Sequence, residues 1–236
     1  MPPDDTLIDD LRAATQRLVR TVDALTDEQY AAPSGLPGWT RGHVVAHLAL
    51  NAEALAAALT GIVQGEEVPM YASQESRDAD IEELAVDRPA ALRERLLRST
   101  TLLADAIEAV PEERRSTRIE RTPGSGTTFA AYAVPAMRLR EVEIHHADLG
   151  LDYTRTDWPL SFCARLLDAM LKADNGEEPL TAAPTDLDRT WQSGAVVAGS
   201  PTVSGTAADL AWWLTGRGDG DGLTSDDGDL PRIEAW

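Results

Sequence analysis

The sequence predicts an α+β protein: an N-terminal four-helix bundle over residues 1–150, then a small α+β domain over residues 151–236. Two observations carry this prediction. The first 150 residues hold long stretches with apolar side chains at helical spacing, separated by loops marked with Pro and Gly. After Gly150 the pattern changes to one helix and then short β-prone pieces broken by Gly and Pro. A chain of 236 residues is long enough for each half to build a core. No internal repeat is present.

In the first half, Leu7, Leu11, Leu18, Val22 and Leu25 recur at helical spacing over residues 6–25. Thr26 and Gln29 form a capping-box pattern. A Pro/Gly-rich loop runs from Pro33 to Gly38, and Thr40 is placed to cap a helix reaching about Leu59. That helix (VVAHLALNAEALAAAL) is apolar nearly all round, so it belongs at the centre of the bundle. A short helix over residues 77–86 precedes a longer one, which starts with Asp87 before Pro89 and runs to about Val110. Residues Thr122–Thr128 read as a flexible loop. The last long helix covers about Pro135 to Leu149, and four such helices with one long connection make a bundle.

In the second half, residues 151–159 read as a linker and about 160–173 as a helix. Strand-like pieces fall at Thr190–Gln192, Ala195–Ala198 and Thr202–Ser204. Thr206 is placed to cap a helix through Leu214, and Arg232–Trp236 is a candidate closing strand. Cys163 reads as a buried helix cysteine rather than a nucleophile. Trp212 and Trp213 read as core or interface residues.

Composition narrows the function classes. Lys and Arg number 21 against 40 Asp and Glu, a net charge of −19 and a pI near 4.5. That sign opposes binding to a nucleic-acid backbone or to an anionic membrane surface. One cysteine excludes an intrachain disulfide and suits a reducing, cytoplasmic setting. No apolar run is expected to span a membrane, and the acidic N-terminus lacks the marks of a signal peptide. A monomer is the default expectation. The Gly/Asp-rich stretch from Gly216 to Asp229 lacks EF-hand spacing, and neither a P-loop nor a dinucleotide fingerprint occurs.

The histidines carry the chemistry. All four fall in two pairs, His43 with His47 and His145 with His146, each pair on a helix of the bundle. At about 100° per residue, Glu141 and His145 lie within about 40° of each other. Met137, Val142 and Leu149 share or flank that arc, so it faces the core, while Arg140, Glu143 and His146 lie on the other side. His47 shares its arc with Val44, Ala54, Leu55 and Ala58, and His43 sits one turn earlier. Two imidazoles and a carboxylate are costly to bury unless paired or metal-bound. Two His and one Glu are the protein ligands of many catalytic zinc sites, and bundles build metal centres from such side chains on facing helices. The spacing leaves two readings open: a metal centre of His47, Glu141 and His145, or a hydrogen-bonded Glu–His pair with His47 unrelated.

Three runs resemble the mycothiol-dependent maleylpyruvate isomerase family, in the same order along essentially the whole chain. They are LPGWTRGHVVAHLALNAEAL (36–55), VPAMRLREVEIHHADLGL (134–151) and VSGTAADLAWWLTGRG (203–218). The resemblance implies a DinB-like metal-binding bundle and a small α+β C-terminal domain. It implies a divalent metal, usually zinc, held by His47, Glu141 and His145, with His43 and His146 outside the ligand set. Asp148, one turn after His145, is a candidate to support that ligand from behind. Mycothiol is the implied cofactor, and Arg217 the implied arginine of the C-terminal domain that holds a substrate carboxylate. Arg138, on the ligand-side arc, is a further candidate for binding the anionic thiol cofactor or the substrate. The implied activity is cis–trans isomerisation of the maleylpyruvate-to-fumarylpyruvate type, in which a metal-activated thiolate adds reversibly to the double bond. The same triad would also serve a mycothiol-dependent S-transferase acting on an electrophile, or a non-catalytic metal-binding helical protein.

Overall fold

The computed structural model describes residues 5–171, 179–197 and 199–233. The chain divides into two compact units, residues 1–152 and 153–236.

The first unit contains α1 (Asp5–Ala24), α2 (Asp27–Ala31), α3 (Arg41–Gln64), α4 (Gln74–Ala85), α5 (Pro89–Ala109) and α6 (Val134–Asp148). The bundle consists of α1, α3, α5 and α6. Both α1 and α3 pack on α5 and on α6, so α1 and α3 lie across a diagonal. Three connections, 25–40, 65–88 and 110–133, are long, where the sequence suggested one. Two of them join diagonal partners and must cross an end of the bundle.

Helix α3 is the central member, with Val44, Val45, Leu48, Leu55 and Leu59 buried. Its start is a capping box in which His43 takes the usual Glu position: the His43 N–H donates to Thr40 Oγ1 (3.4 Å) and the Thr40 N–H to His43 Nδ1 (3.2 Å). Gly42 is required there, because an added Cβ would lie 2.7 Å from the Ala85 carbonyl oxygen at the end of α4. The helix outlasts the expected stop at Leu59 and ends at Gly65, whose φ of +81° is the left-handed cap that glycine adopts freely. By length and composition α3 could cross a membrane, which corrects the expectation that no run could; most of it is buried in the bundle.

Smaller corrections have local causes. Helix α4 begins ahead of residue 77 because Ser73 caps it through the Ser76 N–H. Helix α5 is preceded by Arg88 rather than Asp87, with Pro89 in its first turn and no side-chain cap. The loop at 122–128 is the tip of an antiparallel hairpin, β1 (Arg118–Glu120) with β2 (Thr128–Ala130). Strands of three residues are too short for alternation to reveal them. Backbone bonds from the Met70 and Tyr71 N–H groups to the Glu120 and Arg121 carbonyls attach the 65–73 loop to this hairpin.

The second unit contains α7 (Leu160–Met170), α8 (Ala207–Leu214) and a four-stranded sheet of order β4-β3-β5-β6. Its strands are β3 (Leu180–Pro184), β4 (Trp191–Ser193), β5 (Thr202–Gly205) and β6 (Thr224–Ser225). The β3–β5 pair is parallel and the others antiparallel. β4 and β5 fall where strands were expected, whereas β3 was not foreseen, since its LTAAP sequence is poor in β-branched residues. Residues 195–197 are loop, not strand. Arg232 and Ile233 form no strand, and β6 takes the sheet edge beside β5 instead. Parts of the expected 160–173, 195–198 and 232–236 elements lie outside the described residues. Trp158 packs edge-on against Phe162 and Trp212, at 5.1 and 5.6 Å between ring centroids. Cys163 and Trp213 are buried in this unit.

Candidate metal centre

The site begins with a register lock between α3 and α6. Arg41, at the start of α3, donates from Nε to the Leu149 carbonyl (2.7 Å) and from Nη2 to the Gly150 carbonyl (3.2 Å), just past α6. The Gly35 N–H donates to the Asp148 carbonyl at 2.7 Å. The end of α6 loses intrahelical donors for its carbonyls, and these bonds supply them. With the helices fixed this way, His47 on α3 faces Glu141 and His145 on α6.

His47 Nε2 lies 2.9 Å and His145 Nε2 3.3 Å from Glu141 Oε2. One ligand atom from each of the three residues lies within 4.8 Å of the others, and no other such donor group occurs among the described residues. Asp148 Oδ2 lies 2.8 Å from His145 Nδ1, so the Asp148 carboxylate orients the ring and leaves Nε2 for the centre. Both imidazoles are buried, while the Glu141 side chain keeps 19% exposure and marks the open direction.

Electrostatics divide the three groups. Burial, joined by the nearby charges of His145 and Arg77, pushes His47 down to about 4 despite Glu141. Burial opposes protonation of His145 too, but Asp148 and Glu141 outweigh it and raise its pKa. Burial would raise the Glu141 pKa, yet hydrogen bonds from His145 and His47 hold it well below the usual carboxylate range. Without a metal, the Glu141 carboxylate therefore lies between a His145 ring whose protonation is favoured and a His47 ring whose protonation is disfavoured. A cation bound there would take the place of the His145 proton. Two nitrogens and one carboxylate oxygen, converging and partly open, fit a divalent metal of the zinc type.

Three further residues, Trp39, Tyr71 and Arg77, lie around the triad that sequence spacing did not connect to it. Trp39 has its ring 5.8 Å from that of His47. Arg77 Nη2 lies 3.2 Å from His47 Nδ1, which accepts its hydrogen bond. The Arg77 and Arg121 guanidinium groups lie over the Tyr71 ring at 5.7 and 5.9 Å. Trp39 stands inside the 36–55 run, but Tyr71, from the 65–73 loop, and Arg77, from α4, reach the site through tertiary geometry that no periodicity announces.

Residues 11–150 match the mycothiol maleylpyruvate isomerase N-terminal domain, and residues 157–235 match the MDMPI C-terminal domain. The chain belongs to the mycothiol maleylpyruvate isomerase family. Two crystal structures, of a mycothiol-dependent maleylpyruvate isomerase and of its histidine-to-alanine mutant, resemble it at a TM-score of 0.88. Identities are 31% and 30%, over 98% of this chain and 96% of each of those chains. No curated protein sequence matches significantly. The α+β class and the family resemblance read from the sequence both hold.

Within this maleylpyruvate isomerase family member, the remaining candidates take definite places. His43 belongs to the α3 cap and approaches Glu82 at 3.3 Å. The flank of α6 carrying Glu143 and His146 is buried against α1: Arg17 Nη2 donates to Glu143 at 2.7 Å, and His146 Nε2 lies 2.8 Å from Thr21 Oγ1. Arg138 is 1% exposed, and its Nη1 donates to the Leu48 carbonyl and Asn51 Oδ1 on α3. Arg217 follows α8, donates to the Thr215 carbonyl and lies over the Trp212 ring at 5.8 Å.

Proposed function

We propose that this protein is a metal- and mycothiol-dependent cis–trans isomerase acting on a small unsaturated dicarboxylate of the maleylpyruvate type. The observation that carries the reading is the converged His47–Glu141–His145 triad, backed by Asp148, in a chain matching both domains of the isomerase family. His47, Glu141 and His145 would hold the metal, with zinc as the expected ion. A metal held there would favour the thiolate form of a bound thiol, and the thiolate would supply the reversible sulfur nucleophile that cis–trans isomerisation of a double bond requires.

The chain's own residues hold and orient. Asp148 fixes the His145 ring so that Nε2 faces the centre. Arg77, bonded to His47 and lying over Tyr71, provides positive charge beside the triad. That charge offsets the repulsion a chain at −19 exerts on a dianion, and it stabilises negative charge developing on the substrate oxygens. Arg217 is proposed to hold a substrate carboxylate through its planar fork. An S-transferase would use the same triad, and no observation favours it.

The test is metal content by elemental analysis, with wild type beside His47→Ala, followed by mycothiol calorimetry and conversion of maleylpyruvate followed by NMR. About one zinc per chain, lost in the variant, with metal-dependent thiol binding and isomerisation, is expected. Protein that takes up no added divalent metal would refute the mechanism. A thiol adduct accumulating instead of the trans isomer would refute the isomerase in favour of the transferase.

A further inference from the structure

His47 is held from both sides of its ring. Nε2 lies 2.9 Å from Glu141 Oε2, and Nδ1 lies 3.2 Å from Arg77 Nη2. An arginine only donates and an ionised carboxylate only accepts, so these contacts place the ring proton on Nε2 and leave Nδ1 as an acceptor. Burial disfavours a second proton, with the His47 pKa down at about 4, so the ring is neutral at neutral pH. A metal held on Nε2 needs the lone pair of that atom, and the single ring proton then belongs on Nδ1. Nδ1–H and Nη2–H are both donors and cannot bond to each other. The charge of the ring does not change, but its bond to Arg77 is lost.

Arg77 then has donors to place. Its Nη1 donates to Asp78 Oδ1 at 2.8 Å, and its Nε is buried without a hydrogen-bond partner. Tyr71 offers a hydroxyl and a ring face, neither of which carries charge. Nε and Nη2 form one edge of the planar guanidinium, and that edge grips a carboxylate with two parallel bonds. Arg95 does so within this bundle, where its Nε and Nη2 donate to the two oxygens of Glu53 at 2.9 and 2.8 Å. The Arg77 guanidinium reaches from buried His47 to Asp78, whose side chain is 56% exposed, so it stands at the border between the centre and solvent.

We propose that Arg77 is a carboxylate-binding residue of this centre, held by His47 until a metal takes Nε2 and then free to turn its Nε–Nη2 edge to a substrate carboxylate. This role rests on the metal-centre reading and deepens it, by placing metal before carboxylate and giving the carboxylate a partner on α4. An arginine that supported His47 as a ligand would instead strengthen the hold on the metal.

Chelator competition on the full chain is the first test. Arg77→Met is expected to bind zinc about tenfold tighter than wild type, because it removes a like charge and the bond that keeps the proton on Nε2. Should that variant not fold, Arg77→Gln replaces it with the same expectation. Nitrogen-15 NMR of histidine-labelled protein is expected to show the His47 proton on Nε2 after chelation and on Nδ1 after zinc is added. Calorimetry of the zinc-loaded chain with succinate, which has no double bond to react, reads the carboxylate. Arg77→Lys keeps the charge without the fork, and it is expected to weaken succinate about tenfold. Unchanged or weaker zinc binding in Arg77→Met, a proton already on Nδ1 after chelation, or wild-type succinate affinity in Arg77→Lys would each overturn the proposal. Failure of the wild type to take up zinc would refute the metal centre itself, and this role of Arg77 with it.

Discussion

Two flanks of α6 present neighbouring histidines to opposite seams of the bundle. Toward α3, His145 and Glu141 meet His47, and one carboxylate oxygen lies near two imidazole nitrogens. Toward α1, His146 meets Thr21 and Glu143 meets Arg17. Both seams are polar and buried, so burial does not distinguish them. The difference lies in what already neutralises the carboxylate. On the α1 side a guanidinium sits on Glu143, where a metal would otherwise be drawn. On the α3 side Glu141 meets two imidazoles, and a cation bound there would compete with the protonation of His145 that Asp148 and Glu141 favour.

The largest effect expected from this contrast is on metal retention. Glu141→Gln keeps the side-chain shape but removes the carboxylate, and should weaken zinc binding by more than about 100-fold, beyond the usual effect of a residue that only supports a ligand. Glu143→Gln, the matching change on the α1 seam, should leave zinc content at the wild-type level. Competition with a chromophoric chelator measures both. Equal zinc loss from the two variants would break the distinction between the seams.

Acid should expose the same asymmetry in metal-stripped protein. Folding pushes His47 from its ordinary 6.5 down to about 4, so the unfolded chain binds more protons between those values. Stability therefore falls as pH drops through that window, by about 3 kcal/mol in total. Glu141 adds loss of the same sign at lower pH, because its folded pKa is depressed. His145 acts oppositely: its contribution is complete below its ordinary pKa and fades as pH rises through the raised folded value. Urea unfolding across pH after chelation should trace a maximum between these limbs. With zinc bound, the alkaline decline should vanish, because losing the His145 proton then favours the metal. A metal-free profile flat from pH 4 to 6.5 would contradict the buried, neutral His47.

Much of this asymmetry was legible in the sequence. The i, i+4 spacing of Glu141 and His145 placed them on one arc, and the apolar surroundings of His47 placed it inward. The same wheel set Glu143 and His146 on the other side, but it could not show that α1 buries that side as well. A wheel gives direction within one helix, whereas burial depends on which helix arrives there. Tyr71 and Arg121 illustrate the stronger limit. They stand together because the 65–73 loop bonds to the β1–β2 hairpin, a contact between segments some fifty residues apart with no local signature. In the second unit, β3 escaped for a related reason: its pairing with β4 and β5, rather than its Ala-rich sequence, makes it a strand.

Asp148→Asn sharpens the comparison at intermediate scale. The amide keeps an acceptor for His145 Nδ1–H but loses the charge that strengthens the ring's hold on a cation. Zinc affinity should fall about 10- to 100-fold, while the folded state is retained in the presence of excess zinc. Metal affinity equal to wild type would show that the Asp148 charge plays no part in the centre.

The smallest effect belongs to the α1 seam. Thr21→Val preserves volume and removes the hydroxyl that lies 2.8 Å from His146 Nε2. The loss should be about 1 kcal/mol of folding stability, the usual net value of one such bond. Because His146 faces α1 and the triad faces α3, zinc affinity and isomerase turnover should stay within about twofold of wild type. Denaturant unfolding beside a zinc titration separates the two outcomes. A stability loss with unchanged metal binding is what a structural histidine predicts. Weakened zinc binding without a stability loss would mean that the two flanks of α6 act as one site, and the division between the seams would fail.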